Sequence, residues 1–122
     1  MRDLNKVFLV GRLGGDPLRA ETRTGQVVAS FSLATSRRYA SEEGGEPVQK
    51  TVWHRIVSWG KEAENASRYL KKGSLVLVEG RLKEHRYEDA EGREKQRMEV
   101  HADHVTFLTR ARSENAPTEV SA

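Results

Sequence analysis

The sequence predicts a small all-β domain, a closed barrel of five strands with one short helix between the third and fourth. Apolar residues alternate with polar ones in several segments, which is the period of a half-buried strand. Helical spacing occurs in one segment only, after Gly60. The last two strands are long and one carries a glycine, so closure into a barrel would hide the sheet edges. The length of 122 residues allows one such domain.

The first strand is the apolar run at residues 7–10, which ends before the glycine and proline of residues 14–17. Both of its faces are apolar, so both should be covered. One cover is the domain's own core, and a second subunit would supply the other. We therefore predict a homotetramer, with a dimer as the alternative, and assign Val7 and Leu9 to the subunit interface.

The second strand spans residues 26–35, where apolar side chains alternate. Residues 36–49 contain glycine, proline and glutamate without periodicity, which predicts a long hairpin loop. The third strand spans residues 51–59. Its alternation places Trp53, Arg55 and Trp59 on one side, so two indole rings share a face with a cation.

The helix is indicated by Ala63, Ala66 and Leu70, with basic residues before Gly73 as the C′ glycine. The fourth strand runs from residue 75 to 87 with a bend at Gly80.

In the fifth strand the apolar residues change from even to odd positions, which predicts a bulge near residues 103–104.

Three strands, a helix and two strands are the order of an OB-fold. We assign residues 1–110 to this domain and residues 111–122 to a short disordered tail.

Composition excludes several classes of protein. The chain has no cysteine, which removes thiolate chemistry and disulfides, and we find no signal peptide and no membrane span. We expect a cytoplasmic protein. Net charge is +3, but residues 1–41 hold seven Lys and Arg against three Asp and Glu. This distribution suggests a polyanionic partner, and charge alone fits an ordinary mixed surface equally well.

Catalytic motifs are not found. Gly60 and Lys61 are followed by glutamate, so no phosphate-binding loop is present, and no hydrolase or zinc-protease motif occurs. His101, Asp103 and His104 could suggest a metal site, but in a strand the two histidines point to opposite faces. We expect no catalytic residue, no metal and no cofactor.

Aromatic residues next to cations are the positive signal. Aromatic rings accept nucleobases by stacking, while nearby cations neutralise phosphates. The predicted stacking residues are Tyr39, Trp53, Trp59 and Tyr87. The candidate phosphate contacts are Arg37, Arg38, Arg55, Lys61, Lys72, Arg81, Lys83 and Arg86. The alternative for the two tryptophans is a place in the core, and for each cation an ordinary solvated surface position.

Six blocks of sequence resemble bacterial single-stranded DNA-binding proteins. They are residues 5–17, 31–35, 53–57, 60–64, 69–73 and 78–82. The resemblance implies an OB-fold, a homotetramer and the wrapping of single-stranded DNA in replication, recombination or repair without catalysis, in association with the nucleoid. It also implies stacking roles for the four aromatic residues, and a place near a subunit interface for His54.

The sequence departs from the family at two points. Tyrosine stands at positions 39 and 87, where family members often have tryptophan, which reduces the stacking area. The family's acidic tip does not follow the domain, so the resemblance does not extend to recruitment of replication or repair enzymes. An OB-fold adaptor of the primosome type and a small nuclease are the rival interpretations.

Overall fold

The computed structural model describes residues 2–41 and 44–109. In these ranges the chain forms six strands and one helix, in the order β1 (Val7–Leu13), β2 (Leu18–Glu21), β3 (Val27–Tyr39), β4 (Val48–Trp59), α1 (Gly60–Tyr69), β5 (Leu75–Glu88) and β6 (Glu94–Phe107). The strands build one sheet in the order β1-β5-β6-β4-β3-β2, and β1 also pairs with β3. The predicted disordered tail, residues 111–122, lies outside the described residues.

Two short pairings close the sheet into a barrel. β1 meets β3 at Arg12 and Leu13 only, and β4 runs parallel to β6 at Ile56 and Val57. All other pairings are antiparallel. The prediction of a closed five-stranded barrel with one helix, placed between the strands now numbered β4 and β5, is confirmed.

The core fills the inside of the barrel. Leu33, Ile56, Val76 and Val78 are completely buried there, and each contributes about 1.5–3 kcal/mol by leaving water. The helix adds Ala63 and Ala66 to the same cluster, and Leu70, which follows the last helical residue, also belongs to it. Helical spacing in the sequence therefore identified the residues by which α1 packs against the barrel.

Strand β2 was not predicted. It is four residues long, and every side chain in it is exposed, so it has no apolar alternation. It pairs with β3 from Leu18↔Ser30 to Glu21↔Val27, as an extra strand outside the barrel. Backbone pairing alone produces no periodic signal in a sequence.

The prediction of a loop over residues 36–49 was wrong at both ends. β3 continues to Tyr39 and β4 begins at Val48, so two paired strands project beyond the barrel. Residues 35–39 of β3 and residues 48–53 of β4 are called the β3–β4 arm below. Ser36 and Thr51 join across it through their hydroxyl groups at 3.0 Å. Both faces of the arm are largely exposed, so neither side carries a continuous apolar pattern.

Gly73 is not the C′ residue of the helix. The helix ends at Tyr69, and the amide of Leu70 makes the last bond to Ala66. Gly73 lies instead in a tight turn closed by the Ser74 amide and the Lys71 carbonyl at 3.0 Å. Its φ of 89° is the left-handed value that the third position of such a turn requires.

The predicted bulge in the last strand is confirmed. Glu79 pairs with His104 but Gly80 pairs with Ala102, so Asp103 is the extra residue. Beyond this point β5 and β6 remain paired to Glu88↔Glu94. Residues 81–101 are called the β5–β6 arm below.

The outward side of β1 carries different residues from those assigned to the subunit interface. Val7 and Leu9 are half-buried and pack against the core, whereas Phe8 and Val10 are 62% and 54% exposed. A contact of Val7 and Leu9 with a second subunit stays a prediction. Phe8 and Val10 are the apolar side chains that β1 presents to solvent.

Candidate nucleic-acid interface

Strand register places most of the predicted site on one face. Cross-strand partners point to the same side of a sheet, and alternate residues along a strand do so too. Val57 of β4 pairs with His101 of β6, which pairs with Arg81 of β5. The surface that these three strands present away from the core is called the outer face. It consists of Trp53, Arg55, Val57, Trp59, Arg81, Lys83, His85, Tyr87, Lys95, Arg97, Glu99 and His101.

Trp53 is the most exposed of the predicted stacking residues on the outer face, with 60% of its surface accessible. The benzo edge of its ring lies over Gly14, so close that a Cβ on Gly14 would stand 2.5 Å from Cζ3. Beside the ring is an open groove of about 420 Å³. Its lining combines the indole, a guanidinium, a carboxylate, two hydroxyls, two large apolar side chains and two glycines: Gly14, Gly15, Asp16, Leu18, Ser30, Phe31, Ser32, Trp53 and Arg55.

Trp59 stands where β4 passes into α1 and is half-buried. Its ring meets the ring of His101 edge to face, with centroids 4.5 Å apart. This contact fixes the indole against β6. Part of the ring is therefore held by the protein and part is accessible.

Tyr87 lies near the end of the β5–β6 arm and is 38% exposed. The guanidinium of Arg97 stands 5.2 Å from its ring centroid, and the ring of His85 is stacked at 6.2 Å. A cation over an aromatic face is an attractive contact that also restrains the ring. Tyr87 is thus set among basic and aromatic groups on the outer face.

Tyr39 does not share the face of Trp53. It has the same parity in β3 as Leu33, so it lies on the reverse side of the β3–β4 arm. A second groove of about 480 Å³ runs there, lined by Thr35, Arg37, Tyr39, Lys50 and Val52. Arg37 pairs directly with Lys50. Like charges opposite each other destabilise a strand pair, and a bound anion would relieve the repulsion.

The candidate phosphate contacts do not all lie on one face. Arg38, Arg55, Arg81 and Lys83 lie on the same side as Trp53 or on the outer face, while Arg37 lines the reverse groove. Lys61 stands in the first turn of the helix, and the amide of Lys72 bonds Asp16 at the edge of the Trp53 groove.

Arg86 is separated from the others, because it lies on the reverse side of the β5–β6 arm from Tyr87. Its guanidinium contacts Glu84 at 3.4 Å and Glu94 at 3.8 Å. Both pairs are exposed and so contribute little to stability. The structure does not bring Arg86 together with the stacking ring next to it in sequence.

Sequence reasoning missed the contribution of β6. Lys95, Arg97, Glu99 and His101 bring three basic groups and one acid to the centre of the outer face. The signal was present, since these residues alternate with Met98, Val100 and Ala102. Their position beside Trp59 and Tyr87 depends on pairings between distant segments, which alternation does not reveal.

Glu99 is the buried acid of this face, with a side chain 7% exposed. Burial alone would raise its pKa, but hydrogen bonds from His101 and Arg55, with the positive charges of His85 and Arg55, hold the pKa of Glu99 below its ordinary value. The carboxylate is therefore the charged form in the folded protein at neutral pH.

His54 lies on the reverse side of β4 from Trp53. Its Nε2 is 2.9 Å from the Thr35 hydroxyl, and burial lowers the pKa of the ring. The neutral form is thus favoured. A place for His54 at a subunit interface stays a prediction.

The two histidines considered for a metal site are directed to different acids. His101 contacts Glu99 at 3.3 Å and His104 contacts Glu62 at 3.8 Å. Within residues 2–41 and 44–109, no three His, Asp or Glu side chains are placed to hold a metal ion. In the same ranges, no helix has the length and apolar character needed to cross a membrane.

Residues 4–108 match the model of the single-strand binding protein family. The chain belongs to this family. The single-strand binding family consists of non-catalytic DNA-binding proteins. Single-stranded DNA-binding protein 1 of Chlorobaculum tepidum is 51% identical over 88 residues, which are 72% of this chain and 54% of that protein. The chain thus matches about half the length of this curated relative.

A solved structure of the single-strand binding family has the same fold. The Plasmodium falciparum SSB in complex with ssDNA superimposes with a TM-score of 0.78 at 33% sequence identity. The match covers 88% of this chain and 97% of that one. The OB-fold expected from the order of strands and helix is therefore confirmed by an independent structure.

Proposed function

We propose that the protein binds single-stranded DNA without sequence preference and protects it in replication, recombination or repair. The observation that carries this function is Trp53, a tryptophan 60% exposed on a regular strand beside a groove and a guanidinium. A flat ring of this kind can stack with any base, while cations along the face bind phosphates. The relative and the solved complex support the same ligand.

The two grooves support a path that passes over both sides of the β3–β4 arm. Trp53, Trp59 and Tyr87 would stack bases on the outer face, and Tyr39 would do so on the reverse face. Arg37 and Lys50 bring two positive charges to the groove beside Tyr39. A strand that engages all four rings has to wrap around the arm. This ligand also implies a cytoplasmic, nucleoid-associated location.

Titration with oligo(dT) tests the function directly. Trp53 and Trp59 are the only tryptophans in the chain, so stacking should quench the intrinsic fluorescence. A plot of the logarithm of the binding constant against the logarithm of salt concentration should be a straight line that falls with rising salt. Each phosphate contact should add about 0.7 to the steepness of its slope. A duplex of equal length should bind far more weakly. No binding of oligo(dT), or equal binding of duplex, would contradict the function.

We also propose that the protein assembles as a homotetramer. Phe8 and Val10 are exposed, and in the described ranges residues 7–11 pair with β5 alone, which leaves the other edge of β1 open. A second copy could cover the apolar side chains and pair with this edge. Sedimentation at micromolar concentration should give four times the chain mass of 13.8 kDa. A monomer would refute the assembly, and a stable dimer would limit it to one interface.

Replacing Gly14 should weaken DNA binding by moving Trp53. In Gly14→Ala the new methyl would stand 2.5 Å from Cζ3, so the indole has to shift. We expect a several-fold loss of oligo(dT) affinity, within the roughly 1–3 kcal/mol of one stacked base, and altered tryptophan emission. Gly45→Ala is the matched control, because Gly45 lines neither groove and no atom of the described residues lies within 4 Å of its Cβ. Equal affinity and emission in the two variants would refute this role.

A further inference from the structure

Glu99 occupies an unexpected position. It is a buried, charged carboxylate in the middle of a face that, under the proposed function, attracts phosphates. Desolvating a carboxylate costs free energy, and a negative charge repels the ligand. Three basic side chains, Arg55, Arg97 and His101, surround it.

The two arginines approach Glu99 in the same way. Arg55 donates its Nε–H to Oε2 at 3.1 Å, and Nε of Arg97 is 3.5 Å from the same oxygen. Nε2 of His101 lies 3.3 Å from the other carboxylate oxygen of Glu99, Oε1. Among the described residues, no terminal amino group of Arg55 or Arg97 makes a hydrogen bond. Nε of Arg55 is hydrogen-bonded to the carboxylate and Nε of Arg97 is ion-paired with it, while the terminal amino groups of both guanidinium groups remain available to a phosphate.

Each of the three basic residues also stands beside a different stacking ring. Arg55 lines the groove of Trp53, Arg97 lies against the ring of Tyr87, and His101 packs on Trp59. The Glu99 carboxylate thus connects three aromatic residues that come from different strands.

We propose that Glu99 is a positioning residue that holds Arg55 and Arg97 as a two-arginine phosphate clamp between the stacking rings. The guanidinium fork matches the geometry of a phosphate, and holding its inner end removes rotamer freedom before DNA arrives. With Glu99 charged, the two arginines leave the cluster with a net positive charge. The clamp rests on the proposed function and adds Arg97 to the DNA contacts.

The Glu99→Gln variant tests whether Glu99 acts by positioning the two arginines or only through its negative charge. Removing a negative charge from a DNA-binding face should tighten binding if only charge matters. The clamp predicts the opposite, a loss of about fivefold to tenfold in oligo(dT) affinity. The clamp also predicts that affinity depends less on salt in this variant. The slope of log affinity against log salt concentration should become shallower by about 0.7 for each phosphate that an arginine no longer binds. Asp103→Asn is the control, because Asp103 pairs with Arg81 at 3.1 Å but is 40% exposed. It should bind equally well or more tightly.

Arg97→Lys and Arg55→Lys give a second test that does not remove the buried acid. Both substitutions keep a positive charge on an exposed side chain. The single ammonium group of lysine, however, cannot contact Glu99 and also offer a phosphate the two parallel N–H donors of a guanidinium. Each should lose affinity while its thermal unfolding changes little. Unchanged affinity in both lysine variants, or tighter binding by a folded Glu99→Gln protein, would overturn the clamp. Failure of the unaltered protein to bind oligo(dT) would instead refute the proposed function.

Discussion

Trp53→Ala and Trp59→Ala should each weaken binding of oligo(dT) by about 1–3 kcal/mol, which corresponds to roughly 5- to 150-fold. Each substitution removes one ring on which a base would stack. Trp53 is mostly exposed, so its loss should leave the melting temperature nearly unchanged. Trp59 packs on His101, so its loss should also lower stability. Fluorescence polarisation of labelled oligo(dT) measures affinity without depending on the tryptophans.

Tyr69→Ala is the matched control for the loss of an exposed aromatic ring. Tyr69 is 50% exposed on α1, where its ring faces Phe107 and not the outer face. Its removal should leave DNA affinity unchanged. Normal binding by both tryptophan variants, accompanied by easier unfolding, would mean that the two rings serve the fold rather than the ligand.

Gly11→Ala should destabilise the barrel by about 1–3 kcal/mol or more. A methyl group on Gly11 would overlap the carbonyl oxygen of Ala34, a backbone atom that cannot rotate away. The overlap occurs where β1 meets β3, at the two-residue pairing that closes the barrel. Strand separation there would expose the core around Leu33. Thermal or urea unfolding measures the change.

Gly45→Ala provides the comparison for Gly11. No atom of residues 2–41 and 44–109 lies within 4 Å of its Cβ, and its φ is not in the left-handed region, so alanine should be neutral or slightly stabilising. A Gly11→Ala protein as stable as Gly45→Ala would show that the closing strands have room to separate without loss of packing.

The sequence predicted those features that depend on local periodicity. Alternation correctly placed Trp53, Arg55 and Trp59 on one face, and spacing identified Ala63 and Ala66 as the buried side of the helix. The change of parity in the last strand located the bulge at Asp103, because a single extra residue reverses the faces of all that follow. In each case the side chains record a local contact with the core.

The features that the sequence did not predict depend on contacts between distant segments of the chain or on strands with both faces exposed to solvent. The ends of β3 and β4 were taken for a loop because both of their faces meet solvent. Tyr39 was grouped with Trp53 although strand parity separates them. The Glu99 cluster joins β4 to β6 across 44 residues of sequence, so only the fold brings its members together.

The pairing of β1 with β5 has a consequence for the order of folding during synthesis. Val7 pairs with Gly80, so the first strand of the barrel waits for a partner made some seventy residues later. Until then β3 and β4, which are neighbours in sequence, can form their hairpin, while Phe8 and Val10 remain unpaired on the nascent chain. Domains dominated by such distant pairings generally fold in about milliseconds to seconds. A ribosome adds roughly 5–20 residues per second. The emergence of β5 and then β6, which pairs with β4, therefore sets when the barrel can close, rather than the rate of folding itself.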